Sequence, residues 1–357
     1  MRSAAGQAED GDRRNVSDAT GVVVLGACAT WSLITAAVHD GRPEGVLLAV
    51  LAVAAGYAAG RICGAILPVA AFCAAALAGV ALTAAVPRLS AGPEIVAPLG
   101  HAGATAAVLA LSTGAACCAA WAVRAPLRRL VLRLLAAGIV VTAAVLGSAG
   151  GCVAAAAVVL CSLAAGRMRE HRGTGFAGLV LAAALATGLT WAVAGSAVPE
   201  GLAASLEGQL TLHRIELWHD ALHMARQDAA LGVGPGRFGE LSTTAAQTLQ
   251  SDAKPHSAPL QQAAEQGVVG VALLAAAFCW LLYTLWRSPR STPVALTAGA
   301  ALTALAALAA VGNALSFTTV SVGAGLLAGL ATARPLADES PLPDPDDVRP
   351  RNDRPDP

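Results

Sequence analysis

Long apolar runs separated by short polar breaks make up most of this chain, and one large polar interruption divides them. Apolar stretches lie near 21–38, 45–59, 63–86, 103–123, 130–147, 149–166, 175–196, 268–286, 293–312 and 316–333. Most approach the ~20 residues that an α-helix needs to cross the hydrocarbon core of a bilayer. The pattern therefore predicts an all-α, polytopic membrane protein of about ten transmembrane helices, seven over 21–196 and three over 268–333. The second run is short, and only the small residues Gly147, Ser148, Ala149, Gly150 and Gly151 part the fifth from the sixth.

The interruption, 197–267, has its own pattern. Leu210, Ile215, Leu217, Trp218, Ala221, Leu222 and Ala225 recur at near-helical spacing and predict a helix from about Thr211 to Ala230, with Gly232 as its stop. Gly232, Gly234, Pro235 and Gly236 then force a turn. A second helix is expected to begin near Pro259 and run through Glu265 towards the eighth span. Residues 1–20 are polar and mixed in charge, which makes the first run an uncleaved anchor rather than a signal peptide. At the other end, 334–357 is rich in Pro and Asp and is expected to be a disordered tail. Its Asp344-Pro345-Asp346 reads as a solvated acidic stretch rather than a metal-binding pair.

Charge sets an orientation. Charged residues make up 13% of the chain, and the formal net charge is zero, which points away from a nucleic-acid partner. With the N-terminus inside, the inner ends receive Arg2, Arg13, Arg14, Arg61, Arg124, Arg128, Arg129, Arg167, Arg169, Arg172, Arg287 and Arg290, and the short outer loops only Arg42 and Arg88. The positive-inside bias puts both termini in the cytoplasm and 197–267 on the outer face of the cytoplasmic membrane. The eight cysteines all fall in apolar runs without CxxC spacing and read as small packing residues.

Chemistry concentrates in 212–270, which holds His213, His219, His223 and His256, four of the seven histidines, and Lys254, the sole lysine. His219 and His223 stand one turn apart with Glu216 nearby, but no third ligand is evident, so a solvated polar face is expected and no metal. The string GVGPGRFG follows a helix rather than a strand, unlike a nucleotide loop. A histidine side chain can take a proton from an attacking hydroxyl near neutral pH, which makes His256 the candidate base. Trp218 and Phe238 suit burial against the membrane surface or, less commonly, stacking on a sugar.

Arg214 with Trp218 one turn later, then LGVGPGRF, then a histidine opening HSAPLQQAAEQGVVG, resembles the O-antigen ligase and O-antigen polymerase family of membrane glycosyltransferases. The resemblance covers about sixty residues. It implies glycan transfer outside the membrane, from a polyprenyl-diphosphate carrier to an acceptor hydroxyl on a glycan, lipid or protein, among membrane lipids and with no metal or cofactor. It further implies His256 as the base and Arg214 as a diphosphate ligand; the family's second cation, an arginine, is absent here, and Lys254, then Arg237, then the outer-loop Arg88 are the candidates to replace it. Glu265, Ser257, Trp218, Gly234 and Gly236 become supporting residues, and His256 and Arg214 are expected to converge on one outward cavity. Two positions depart from the family. Ser148-Ala149-Gly150 stands where Ser-Arg-Gly is usual, and Ser257 stands for Asn. The missing arginine leaves room for an inactive homologue with a binding role. A small-solute transporter is the other alternative, though the apolar runs are almost uncharged apart from Arg133.

Overall fold

The computed structural model describes residues 4–89, 98–168, 170–195, 212–246, 254–334 and 336. Among them every regular element is helical. The elements are α1 (Ala4–His39), α2 (Glu44–Ile66), α3 (Ala70–Leu89), α4 (Pro98–Ala122), α5 (Pro126–Val145), α6 (Ala149–Ala165) and α7 (Arg172–Ala194). After these come α8 (Leu212–Gln227), the short α9 (Phe238–Leu241) and α10 (Thr243–Ala246), α11 (Ala258–Trp286), α12 (Thr292–Val311), a 3₁₀ turn (Ala314–Ser316) and α13 (Thr318–Thr332).

Among the described residues six helices are long and apolar enough to cross a membrane: Ser17–His39, Glu44–Ile66, Gly103–Ala122, Arg172–Ala194, Ala258–Trp286 and Thr292–Val311. Ala70–Ala85, Ala149–Ala165 and Thr318–Thr332 are shorter apolar helices. Large apolar side chains such as Val22, Leu51, Leu134, Val153 and Leu185 are exposed, as expected of a surface whose solvent is hydrocarbon. Some hydroxyls within the spans bond back to their own helices, as Ser112 Oγ does to the Val108 carbonyl at 2.8 Å and Thr113 Oγ1 to the Leu109 carbonyl at 2.8 Å. That satisfies them without water.

α4 and α12 form the centre of the bundle. Ala107, Leu109, Ala116 and Ala119 of α4 and Ala295, Ala298, Ala301 and Leu302 of α12 are buried. The two helices run antiparallel, with the Cys118 thiol on the Val294 carbonyl at 3.5 Å and Gly114 against Ala301. α2 and α13 run parallel in close backbone contact. Gly56, Gly60 and Gly64 lie against the 322–333 backbone, and Gly325 and Gly329 lie against the backbone of Val53 and Tyr57. Small residues at four-residue spacing permit this approach. α1 and α11 run antiparallel, joined by the Trp31 indole on the Gln266 carbonyl and the Trp280 indole on the Ser17 carbonyl.

Several boundaries differ from the sequence reading. The second apolar run, expected over 45–59, continues as α2 to Ile66, because Arg61 inside the helix bonds Asp18 of α1 at 2.6 Å, and a paired charge need not end an apolar helix. The third helix consequently starts at Ala70 rather than 63. Helical backbone reaches back to Ala4 within the expected N-terminal tail. The helix expected to end near Ala230 ends at Gln227, because Asp228 Oδ1 accepts the amides of Ala230 and Leu231 at 3.2 and 3.0 Å and turns the chain early. The acidic tail, including Asp344-Pro345-Asp346, lies outside the described residues.

The bundle has two chemically distinct ends. At one, arginines bridge helix termini: Arg172 donates to the Leu285 and Arg290 carbonyls, Arg290 to the Gly64 carbonyl at 2.9 Å and Arg129 to the Val123 carbonyl at 3.0 Å. The polar segment folds over the other, with a small core of its own built from Leu217, Trp218, Ala221, Leu222, Phe238, Leu260 and Ala264.

Candidate functional site

Local sequence chemistry builds the scaffold of the site. α8 turns Leu217, Trp218, Ala221 and Leu222 inward, and Trp218 is left 1% exposed. Its indole N–H donates to the Pro255 carbonyl at 2.6 Å. The ring is thus unavailable for stacking on a sugar. It bolts the bent stretch before α11 onto α8 instead, and Phe238, also 1% exposed, packs into the same core. The next residue after Pro255, His256, holds φ at 49° and is half-buried; histidine is among the few side chains that enter this left-handed region with any frequency. Ser257 follows at the N-terminus of α11, buried, its hydroxyl without a hydrogen-bond partner among the described residues.

α11 is broken at Gly267, which has φ 65° and ψ −163°. The break divides it into a polar head, 258–266, and an apolar shaft, 268–286. At the break the Ala264 carbonyl accepts the Val233 amide at 2.8 Å, the Glu265 carbonyl accepts the Gly234 amide at 2.9 Å and the Gln266 carbonyl accepts the Trp31 indole at 3.0 Å. In return, the Val268 amide donates to the Ala229 carbonyl at 2.9 Å. The glycine turn and the broken helix therefore satisfy one another's backbone groups, as buried polar backbone requires. Gly232, Gly234 and Gly236 have φ of 67°, 97° and 76°. At Gly232 a Cβ would meet the Ala264 carbonyl at 2.6 Å, so the turn lies flat on the head of α11.

Glu265, 5% exposed, sits under this turn. Its carboxylate accepts the Gly236 amide and Gln261 Nε2, the latter at 3.2 Å, and lies within electrostatic reach of Lys254. The turn also locks onto the α1–α2 connection. Arg237 Nη1 donates to the His39 carbonyl at 2.7 Å, the Arg42 amide donates to the Pro235 carbonyl at 2.7 Å, and Glu240 lies 3.7 Å from Arg42 and 3.8 Å from Arg237. Arg237 is committed to fastening two segments, and Lys254 lies only within electrostatic reach of Glu265.

Arg214 lies one turn before Trp218, half-buried, with Nη1 donating to the Val311 carbonyl at the end of α12, 3.3 Å away. Burial lowers its guanidinium below the ordinary arginine value. Ala149 is exposed at the start of α6, and its neighbour Gly150 lies against Leu308, one turn before Val311. Ala149 and Arg214 thus both lie near the C-terminal end of α12. Arg88 belongs to α3, but its side chain is outside the described residues.

A cavity of about 740 Å³ opens beside α8, walled by His219, His223, Arg226, Asp220, Ala194 and Val233. His256, Arg214, Lys254 and Arg237 are not among its lining residues. Partial burial alone would raise the Asp220 carboxyl, but hydrogen bonds from the Ser242 hydroxyl at 2.6 Å and the Thr244 amide at 3.2 Å, together with nearby His223, hold it below its ordinary value. Asp220 and Gln261 were not singled out from the sequence; the i, i+4 spacing of Gln261 and Glu265 was the available signal. Among the described residues no group of three His, Cys, Asp or Glu side chains could hold a metal ion.

Fold and site together define a helical membrane protein with a compact polar segment fastened over one end of its bundle. No protein-family model and no curated protein matches the chain.

Proposed function

We propose that this chain is a metal-independent glycan transferase of the O-antigen ligase kind, with about ten membrane helices and the polar segment on the outer face of the cytoplasmic membrane. Its donor is a glycan on a polyprenyl diphosphate, and its acceptor is a hydroxyl. The observation that supports this reading is that two pieces of the sequence resemblance touch the third: the turn 232–236 is bonded to the head of α11 around Glu265, and Trp218 holds the residue before His256. In this reading His256 removes the acceptor proton, and Arg214 neutralises the departing diphosphate. A second cation has to share that charge, and Lys254, held near Glu265, is the first choice, ahead of Arg237, which already serves the His39 carbonyl. The exposed, uncharged Ala149 favours the second reading, a homologue that binds such lipids without transferring them.

Transfer from a polyprenyl-diphosphate-linked glycan, assayed in proteoliposomes, tests the proposal. His256→Ala is expected to lower turnover by about 10²–10⁴-fold, Lys254→Ala nearly as much, and Ala149→Arg to be tolerated or stimulatory. Wild-type protein that binds the donor yet transfers nothing to any acceptor would leave only the binding reading. Absence of both binding and transfer removes both.

A further inference from the structure

The arginine-rich end of the bundle carries a groove unrelated to the polar segment, about 320 Å³ in volume, between α7 and the shaft of α11. Buried Phe176 and Leu282 form its floor, and Val180, Tyr283 and Trp286, each roughly two-fifths exposed, form its walls. Both flanking helices are long and apolar enough to cross a membrane, so the groove opens sideways towards hydrocarbon rather than water. Cations stand at its mouth. Arg172, adjacent to the lining residue Gly173, reaches across to the Leu285 carbonyl and to Ser288 Oγ at 3.2 Å, and its Nε remains buried without a partner. Arg287 is exposed, with its guanidinium 5.7 Å from the Trp286 ring centroid.

An apolar slot of this size, closed at its polar end by two guanidinium groups and flanked by Tyr and Trp, has the composition of an anionic-lipid site. One acyl chain fits the slot, the aromatics sit at headgroup depth, and arginine forks suit phosphate oxygens. We propose that this groove binds one membrane phospholipid with an anionic headgroup, its chain over Phe176 and Leu282 and its phosphate on the exposed Arg287, beside Arg172, whose guanidinium already joins α7 to the end of α11. The proposal is independent of the glycan reading.

Native mass spectrometry of the full-length detergent-solubilised protein tests it, with phosphatidylglycerol and phosphatidylcholine of identical chains as probes. Wild type is expected to retain phosphatidylglycerol preferentially. Arg287→Gln, at an exposed position, is expected to weaken that preference by about five-fold. Ala177→Phe, which fills the exposed side of the groove, is expected to lower retention of both lipids while leaving the Arg287 dependence of any residual binding. Equal retention of the two lipids by wild type overturns the proposal. So does a preference unchanged in both variants, or a dimer that excludes lipid and dissociates on Trp286→Ala, which would make a second copy the occupant.

Discussion

Gly267 holds a backbone conformation that side chains essentially never adopt, and a Cβ there would collide with the Ala230 carbonyl. Gly267→Ala is therefore expected to cost about 1–3 kcal/mol from backbone strain alone, read as a lower Tm in detergent; an unchanged Tm would show that the break does not need this residue. Asp220 behaves oppositely with pH. Its folded carboxyl lies below the ordinary value of 3.8, so its contribution is complete above that value and is lost as pH falls through the lower folded one. Acidification below about pH 4 is expected to lower the protection of the Thr244 amide relative to its intrinsic exchange rate at each pH, and Asp220→Asn should remove that pH dependence; identical protection profiles for the two proteins would contradict the assignment. The glycine turn was legible because turn chemistry is local, whereas the left-handed backbone of His256 had no such signal. The anchors of Arg237 and Arg214 were not legible either, since both are backbone carbonyls, of His39 and Val311, and a carbonyl carries no side-chain identity that sequence could flag.

Among helices, most expected apolar runs fall on a described helix, but the third straddles α2 and α3, and among the described residues six helices rather than ten are long and apolar enough to cross a membrane. Their ends and partners were less visible. Arg61 looks like a terminator until Asp18, far away in sequence, neutralises it, and Asp228 ends α8 through a bond to its own following amides. The glycines at 56, 60 and 64 are plain in the sequence, but nothing local says that they meet α13, more than two hundred residues later. Gly60→Leu is expected to force α2 from α13, because even a Cβ there would meet the Leu326 carbonyl. A large loss of thermal stability in detergent should follow. Gly138→Ala is the matched control: no atom lies within 4 Å of the added methyl, and stability should hold or rise by up to about 1 kcal/mol. Equal effects at the two positions would mean that helix propensity, not close approach, governs these glycines.

For the whole molecule, the division into an arginine-rich end and an end carrying the polar segment makes sidedness a measurable property. With the arginines inside, Lys254 in intact cells should react with a membrane-impermeant amine reagent, and protection lasting until lysis would reverse the orientation and remove the transferase reading with it. The fastening of the glycine turn to the α1–α2 connection has a further consequence for modular exchange. Transplanting 212–267 into another helical scaffold would strand Pro235 and Arg237 without the Arg42 amide and His39 carbonyl that hold them. The segment is accordingly not a portable cassette. A chimera that keeps its shape must inherit 39–43 as well, and the chain's earliest hairpin and its polar segment have to change in concert as the sequence diverges.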